Sequence, residues 1–125
     1  MQIKSFKEIL AWKKSHQLVL IIYKSIKYLP ETEKYNLVSQ MTRAAVSIPS
    51  NIAEGFARKG SSDSIKFYNI AQGSLEELKY QTLLCYDLKY FNKNQYNYLI
   101  NLEDEVGKTL WGWIKSQISN KKDKN

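Results

Sequence analysis

Cysteine, histidine, proline and glycine are scarce in this sequence. Its 125 residues include one cysteine, one histidine, two prolines and five glycines. A single cysteine cannot form a disulfide within one chain, which excludes a disulfide-stabilised domain and favours a reducing compartment. One cysteine and one histidine are also too few for a zinc site of the usual ligand set. With so few helix breakers, the pattern favours long uninterrupted helices.

Long apolar runs and catalytic signatures are missing as well. The longest apolar run, Leu18 to Tyr23, is far shorter than the ~20 residues that span a bilayer. Residues 5–14 include four charged side chains, so we expect no signal peptide. No Walker loop, dinucleotide fingerprint or nucleophile elbow is present. We expect a cytoplasmic protein that is not an enzyme and that uses no cofactor, metal or small-molecule substrate.

Negative charge is in deficit. The chain has 19 lysines and arginines against 12 acidic residues, which gives a net charge of +7, and only two of the basic residues are arginine. This excess suits a polyanionic partner such as RNA or DNA. Alternatively, a composition rich in lysine, asparagine, isoleucine and tyrosine reflects the codon usage of an AT-rich genome. The candidate phosphate contacts are lysines of the first helix and the tail, namely Lys13, Lys14, Lys24, Lys27, Lys121 and Lys122.

Apolar residues recur at steps of three and four, and no segment alternates like a strand. The sequence predicts an all-α fold, an antiparallel up-down-up-down four-helix bundle over residues 1–119, followed by a short polar tail at 120–125. Pro30 is expected to end the first helix, and Pro49 to kink the second without ending it. The predicted N-caps, in chain order, are Ser5, Thr32, Ser61 or Ser62, and Asn94. The predicted core seam of the first helix is Ile9, Trp12, His16, Val19, Ile22, Ile26 and Leu29.

The second helix has a narrow polar stripe within residues 40–55, which read QMTRAAVSIPSNIAEG. At about 100° per residue, the stripe comprises Gln40, Arg43, Ser47, Ser50, Asn51 and Glu54. The rest of this helix is apolar or small, whereas a helix on the outside of a monomer normally has a wide charged face. We therefore expect the helix to be buried on most sides and the protein to be a homo-oligomer.

Arg43 is the residue of that stripe that most needs a charged partner if it is buried. An unpaired buried charge is very costly, so we expect Arg43 to be buried and paired with Glu77 of the third helix. Gly73, which precedes Ser74 in the middle of that helix, is expected to mark a close approach of another helix backbone. The stripe has three interpretations: a packing network within the fold, a subunit interface, or a ligand contact.

The remaining reactive and aromatic residues favour packing over chemistry. His16 lacks a neighbouring nucleophile and an orienting partner and is expected to be a packing or surface residue. Cys85 lies on an apolar seam and is expected to be a buried, inert thiol. The acidic run 103–105 points in three directions on a helix and predicts a solvated face. Trp111 and Trp113 suit either stacking on bases or filling the bundle end, and filling is favoured.

Four segments resemble the 23S rRNA intervening-sequence protein family, also called the four helix bundle protein family. They are FKEILAW at 6–12, YLPETE at 28–33, RAAVSIPSNIAEG at 43–55 and AQGSLEEL at 71–78. The resemblance implies a compact antiparallel four-helix bundle from a bacterium. It also implies self-association as a ring-like pentamer and nucleic-acid binding, as in the related accessory proteins of diversity-generating retroelements. The family's patterned residues correspond here to Arg43, Ser47, Pro49, Asn51, Glu54, Gly55, Gly73, Ser74 and Glu77.

The expected function is a non-enzymatic, oligomeric scaffold that associates with RNA or DNA through its basic surface. Phosphate contacts through lysines give affinity without sequence readout. The alternative is a protein–protein adaptor whose basicity is compositional. Lysines clustered on one face favour the scaffold, whereas an even spread beside an exposed apolar groove favours the adaptor. The candidate structural or interface residues are Arg43, Ser47, Asn51, Glu54, Gly73 and Glu77.

Overall fold

The computed structural model describes residues 2–60 and 62–124, with side chains as far as residue 120. Its four helices are α1 (Leu10–Ser25), α2 (Leu37–Ala57), α3 (Ser62–Asp87) and α4 (Lys93–Lys124). Each of α1 and α3 packs against both α2 and α4, which is the neighbour order of an antiparallel up-down-up-down bundle. The described residues contain no strand. The predicted fold is therefore confirmed.

The helix starts differ from those predicted. Ser5 caps a short 3-10 turn, Phe6–Glu8, in which its Oγ accepts a hydrogen bond from the Lys7 N–H at 3.2 Å. Thr32 lies inside a second such turn, Glu31–Glu33, and α2 begins only at Leu37. This second turn directly follows Pro30 and belongs to the chain reversal before α2, so Thr32 lies too early to cap that helix.

The start of α4 is set by Asn92 rather than by the predicted Asn94. The Gln95 N–H donates to Asn92 Oδ1 at 2.8 Å, and the Asn92 N–H donates to Gln95 Oε1 at 2.7 Å. This reciprocal pair satisfies two backbone donors that a helix start otherwise leaves free. At α3, Ser62 is already the first helical residue, and Ser61 lies outside the described residues.

The buried stripe of α1 is shifted from the predicted seam. Its fully enclosed residues are Ala11, Ser15, Leu18 and Ile22. Trp12 and Val19 are only partly buried, and His16 is exposed. Small residues at two of the four enclosed positions let the backbone of α1 approach its neighbours, while the larger rings flank the contact.

α2 continues through Pro49, as predicted, and α4 continues past residue 119, where the bundle was predicted to end. α2 runs through Pro49, which is itself buried, so Pro49 does not end the helix. α4 extends to Lys124, so helix replaces the polar tail predicted at 120–125 as far as that residue. The side chains of Lys121 and Lys122 lie outside the described part of the chain.

A close approach of α2 and α3 occurs at Gly55 and not at Gly73. A Cβ atom added to Gly55 would lie 2.8 Å from Cδ1 of Tyr68 and 3.0 Å from the carbonyl oxygen of Ser64. The Ser64 hydroxyl donates to the Gly55 carbonyl at 2.7 Å. A Cβ at Gly73 would meet no atom within 4 Å, so the close approach predicted there is wrong within a single chain.

Candidate nucleic-acid interface

The outer face of α1 is a solvent-exposed basic stripe. Lys13, Gln17, Leu20 and Lys24 follow one another at steps of four, three and four residues, opposite the enclosed Ala11–Ile22 side. All four are exposed. Lys27, in the turn after α1, is exposed at the same end as Lys24. We call Lys13, Lys24 and Lys27 the basic stripe.

The basic stripe lies in a segment that contains no acidic residue. Residues 9–30 contain four lysines and neither aspartate nor glutamate. Lys14, the fourth lysine, is paired with Glu105 of α4, so its charge is partly compensated. Of the 12 acidic residues, four lie on α3 and four on α4. Because α3 has two lysines and α4 has six, residues 9–30 have the largest net positive charge of the three segments, +4 against −2 for α3 and +2 for α4.

The polar stripe of α2 is divided between a packing contact and an open surface. The hydroxyls of Ser47 and Ser74 lie 2.8 Å apart and join α2 to α3. Asn51 Nδ2 donates to the Ser47 carbonyl at 2.8 Å and reaches the Ser47 hydroxyl at 3.0 Å. This half of the stripe therefore agrees with the first of the three interpretations, a packing network within the fold.

The predicted buried pair of Arg43 with Glu77 is wrong for the single chain. Both residues are exposed, and no ion pair joins them among the described residues. Glu54 instead pairs with Arg58, the C-cap residue that follows α2, at 3.2 Å. The reason is geometric: only the Ser47–Asn51 edge of the stripe faces α3, and the rest points away from the bundle.

His16 lies at the surface and Cys85 in the core, as was expected for residues without a catalytic role. The His16 ring stacks on Trp12 with centroids 5.0 Å apart and planes 10° apart. The Cys85 thiol is buried 3.5 Å from the sulfur of Met41. Burial, with a smaller contribution from the Glu33 charge, raises the pKa of this thiol to about 12, which removes the thiolate needed for nucleophilic chemistry.

The two tryptophans of α4 have different environments. Trp113 is half-buried and meets the edge of Tyr68 at a centroid distance of 6.0 Å, as expected for a packing residue. Trp111 is 48% exposed, and Lys115 Nζ lies 5.7 Å from its ring centre. Trp111 therefore retains an accessible ring beside a lysine.

Sequence reasoning missed a buried acid. Glu103 is fully enclosed, although the run 103–105 was expected to be a solvated face. It lies four residues after Leu99 and three before Val106, both buried, so this spacing was the signal that could have located it. Its Oε2 is 2.6 Å from the Thr82 hydroxyl, whereas its Oε1 has no hydrogen-bond partner.

Neither a metal site nor a membrane span is found in residues 2–60 and 62–124. No three His, Cys, Asp or Glu side chains are grouped closely enough there to hold a metal ion. None of the helices in the same ranges combines the length and apolarity needed to cross a bilayer.

The fold and its charged surface define a small, basic four-helix-bundle protein. The chain belongs to the 23S rRNA-intervening sequence protein family, whose model matches residues 7–112. It is similar to the crystal structure of a protein of unknown function from the S23 ribosomal protein family of Bacteroides thetaiotaomicron VPI-5482. The two share 28% identity and a TM-score of 0.77 over 85% of this chain and 99% of the other. No curated protein matches the chain. The resemblance found in the sequence is confirmed.

Proposed function

We propose that this protein is a non-enzymatic, oligomeric scaffold that associates with RNA or DNA through the outer face of α1. The supporting observation is the basic stripe: residues 9–30 contain four lysines and no acid, and Lys13, Lys24 and Lys27 are all exposed. Such a stripe contacts phosphates, which are the same in every sequence, so it gives affinity without base readout.

Reversing the charge of the basic stripe is expected to weaken binding to all nucleic acids alike. In the variant Lys13→Glu, Lys24→Glu, Lys27→Glu, three phosphate contacts are lost, so the slope of log affinity against log salt should become shallower by about three. Lys14 is left unchanged because it is paired with Glu105. Electrophoretic mobility shifts with unrelated RNA and DNA between ~50 and ~200 mM salt measure the effect.

A control variant distinguishes binding through the basic stripe from binding that depends only on net charge. Lys66→Glu, Lys108→Glu, Lys115→Glu makes the same change in net charge at three exposed lysines on α3 and α4, and most of the affinity should remain. Equal losses in the two variants would show that binding follows overall basicity. No shift of the parent protein even at ~50 mM salt would favour the alternative function, a protein–protein adaptor.

Assembly is supported by the outward surface of α2 and α3. Arg43 and Glu77 are exposed without an ion pair between them, and Val46 and Ile70 are 39% and 43% exposed. Gly73 costs helix stability of about 1 kcal/mol relative to alanine, yet no atom of its own chain lies within 4 Å of an added Cβ. A second copy packed closely against α3 accounts for this glycine. Oligomerisation would also repeat the basic stripe and raise avidity.

Replacing Gly73 by leucine is therefore expected to dissociate the oligomer without unfolding the chain. Light scattering of the parent protein at micromolar concentration should give several times the chain mass of 14.6 kDa, and Gly73→Leu should lower that value towards one chain. Gly112→Leu is the comparison variant on α4, because a Cβ at Gly112 also meets nothing within 4 Å. Dissociation by both variants alike would show that the assembly is not formed through α3 alone. A monomeric parent protein would contradict the proposed assembly.

A further inference from the structure

An aromatic cavity of about 690 Å³ opens at the end of the bundle where α1 finishes. Its walls come from the turn after α1 and from the connection between α3 and α4. The aromatic lining residues are Tyr28, Tyr86, Tyr90 and Phe91. Clefts of ~300–1,000 Å³ are the usual size for small organic ligands, and this cavity, which is open to solvent on its outer side, falls within that range.

Three of these rings are held in place by the protein. Tyr86 stacks on Tyr96 with centroids 4.5 Å apart. The Tyr90 hydroxyl donates to Glu33 Oε2 at 2.8 Å, and Phe91 is only 2% exposed. These contacts fix the inner wall of the cavity before any ligand arrives, which lowers the cost of ordering it.

Tyr28 differs from the other three because its ring is open to solvent. It is 60% exposed, and no ring of the described residues stacks on it. A large exposed aromatic surface at the mouth of a cavity is available to stack on an incoming planar group. Tyr28 directly follows Lys27 in the sequence. The basic stripe therefore ends at the mouth of the cavity.

The polar lining offers both hydrogen-bond donors and an acceptor. Asn92 and Gln95 line the cavity, and their side-chain oxygens accept backbone N–H groups at the start of α4, which leaves their NH₂ groups as donors. Asp87 supplies a carboxylate, and Lys89 a cation. An aromatic wall with mixed donors and acceptors suits a nucleobase, which has a π-face and a polar edge.

We propose that this cavity binds an unpaired base of single-stranded nucleic acid whose phosphates follow the basic stripe, with Tyr28 stacking on the base. The inference rests on the proposed function, and it adds a substrate class: single strands in preference to duplexes. In a duplex the bases are paired and stacked, so a duplex reaches only the lysines. Every base has a π-face, so this contact discriminates strandedness and tolerates sequence.

The test compares a fluorescein-labelled single-stranded 12-mer of mixed sequence with its duplex, by fluorescence anisotropy at one salt concentration. Tyr28→Ala should weaken single-strand binding by about 5- to 150-fold, the range for loss of one base–aromatic stack, and leave duplex binding unchanged. Tyr28→Phe keeps the ring and should retain the affinity of the parent protein. Tyr80→Ala is the matched control, since Tyr80 is 61% exposed on α3, and it should have no effect.

The outcomes separate this inference from the proposed function. If Tyr28→Ala leaves single-strand binding unchanged, or weakens single strand and duplex equally, the base site is overturned. In that case the scaffold function stands, provided that the stripe variant still loses affinity for both forms. If the parent protein binds neither form at ~50 mM salt, the base site and the scaffold function are both overturned.

Discussion

The Glu103→Gln variant is expected to be more stable than the parent protein at pH 8 and above and to lose less stability as the pH rises. Glu103 is fully buried on α4, and burial raises the pKa of its carboxyl to about 8, against the smaller opposing effects of the Thr82 hydrogen bond and the Lys79 charge. The folded protein therefore holds a neutral carboxylic acid at neutral pH.

The hydrogen bonds around Glu103 agree with a protonated side chain. The Thr82 hydroxyl lies 2.6 Å from Glu103 Oε2 and 3.0 Å from the Leu78 carbonyl oxygen, but its single proton can serve only one acceptor. If Glu103 carries a proton on Oε2, it donates to Thr82, and the Thr82 proton is then available to the Leu78 carbonyl. An ionised Glu103 would leave its other oxygen, Oε1, buried without any hydrogen-bond donor.

The direction of the pH dependence follows from the two pKa values. The unfolded carboxyl has the ordinary value of 4.5, and the folded one a value of about 8. Between them the folded state holds a proton that the unfolded state has released, so the free energy of unfolding falls by about 1.4 kcal/mol per pH unit. The contribution of Glu103 to the free energy of unfolding is fully present below the pKa of the unfolded state. It is lost by the time the pH reaches the pKa of the folded state, and the total loss is roughly a few kcal/mol.

Urea unfolding from pH 5 to pH 9 at a fixed protein concentration tests this expectation. Glutamine keeps the shape and neutrality of the protonated acid, so the variant curve should be flat wherever the parent curve falls because of Glu103. Asp104→Asn is the control, because Asp104 is the neighbouring exposed carboxylate of α4 and pairs with Lys79 at 3.5 Å. Parallel curves for Glu103→Gln and the parent protein would contradict the prediction.

The Gly55→Ala variant is expected to lose roughly 1–3 kcal/mol of stability, the usual cost of overpacking a core. The added Cβ would lie 2.8 Å from the Tyr68 ring and 3.0 Å from the backbone oxygen of Ser64. Tyr68 is 1% exposed and packed edge-on against Trp113, so its ring has no free space to enter. The higher helix propensity of alanine, worth ~1 kcal/mol, offsets only part of this cost.

Chemical denaturation of Gly55→Ala and of Gly112→Ala distinguishes the cost of overpacking from the gain in helix propensity. A Cβ at Gly112 meets no atom within 4 Å, so the control should gain stability where Gly55→Ala loses it. Adding Tyr68→Leu to Gly55→Ala removes the obstructing ring, and the two changes should be less destabilising together than the sum of the single variants. A Gly55→Ala protein as stable as its parent would show that α2 and α3 separate at low cost.

The fold could be predicted from the sequence because apolar residues recur at steps of three and four along all four helices and few residues interrupt them. It was harder to predict which residues of each helix face the core. Small residues such as Ala11 and Ser15 weigh little in a hydrophobic pattern, yet they are enclosed because they allow close packing. Trp12 and Val19 contribute most to the hydrophobic pattern of α1, but they are only partly buried at the edge of the core. The helix starts depended on which of several cap residues the turn geometry selects, which the local sequence does not determine.

The candidate site was predictable where it depends on sequence composition and not where it depends on burial. The lysines of α1 could be proposed from the sequence because the chain has a net charge of +7 and Lys13 and Lys14 form a doublet on this helix. Glu103 was misplaced because its charge outweighed its position on the buried side of α4. Arg43 was misplaced because a helix with little charge has the same pattern whether its own chain or a second copy covers it.

Cys85 allows the opening of the protein core to be measured without any engineered label. It is the only cysteine, it lies against Met41 in the core, and its thiol is both enclosed and almost entirely protonated at neutral pH. A thiol reagent can react only after the helices separate, so the rate of modification counts opening events of the native bundle. Each substitution discussed above can therefore be followed by its effect on how often the core opens under native conditions.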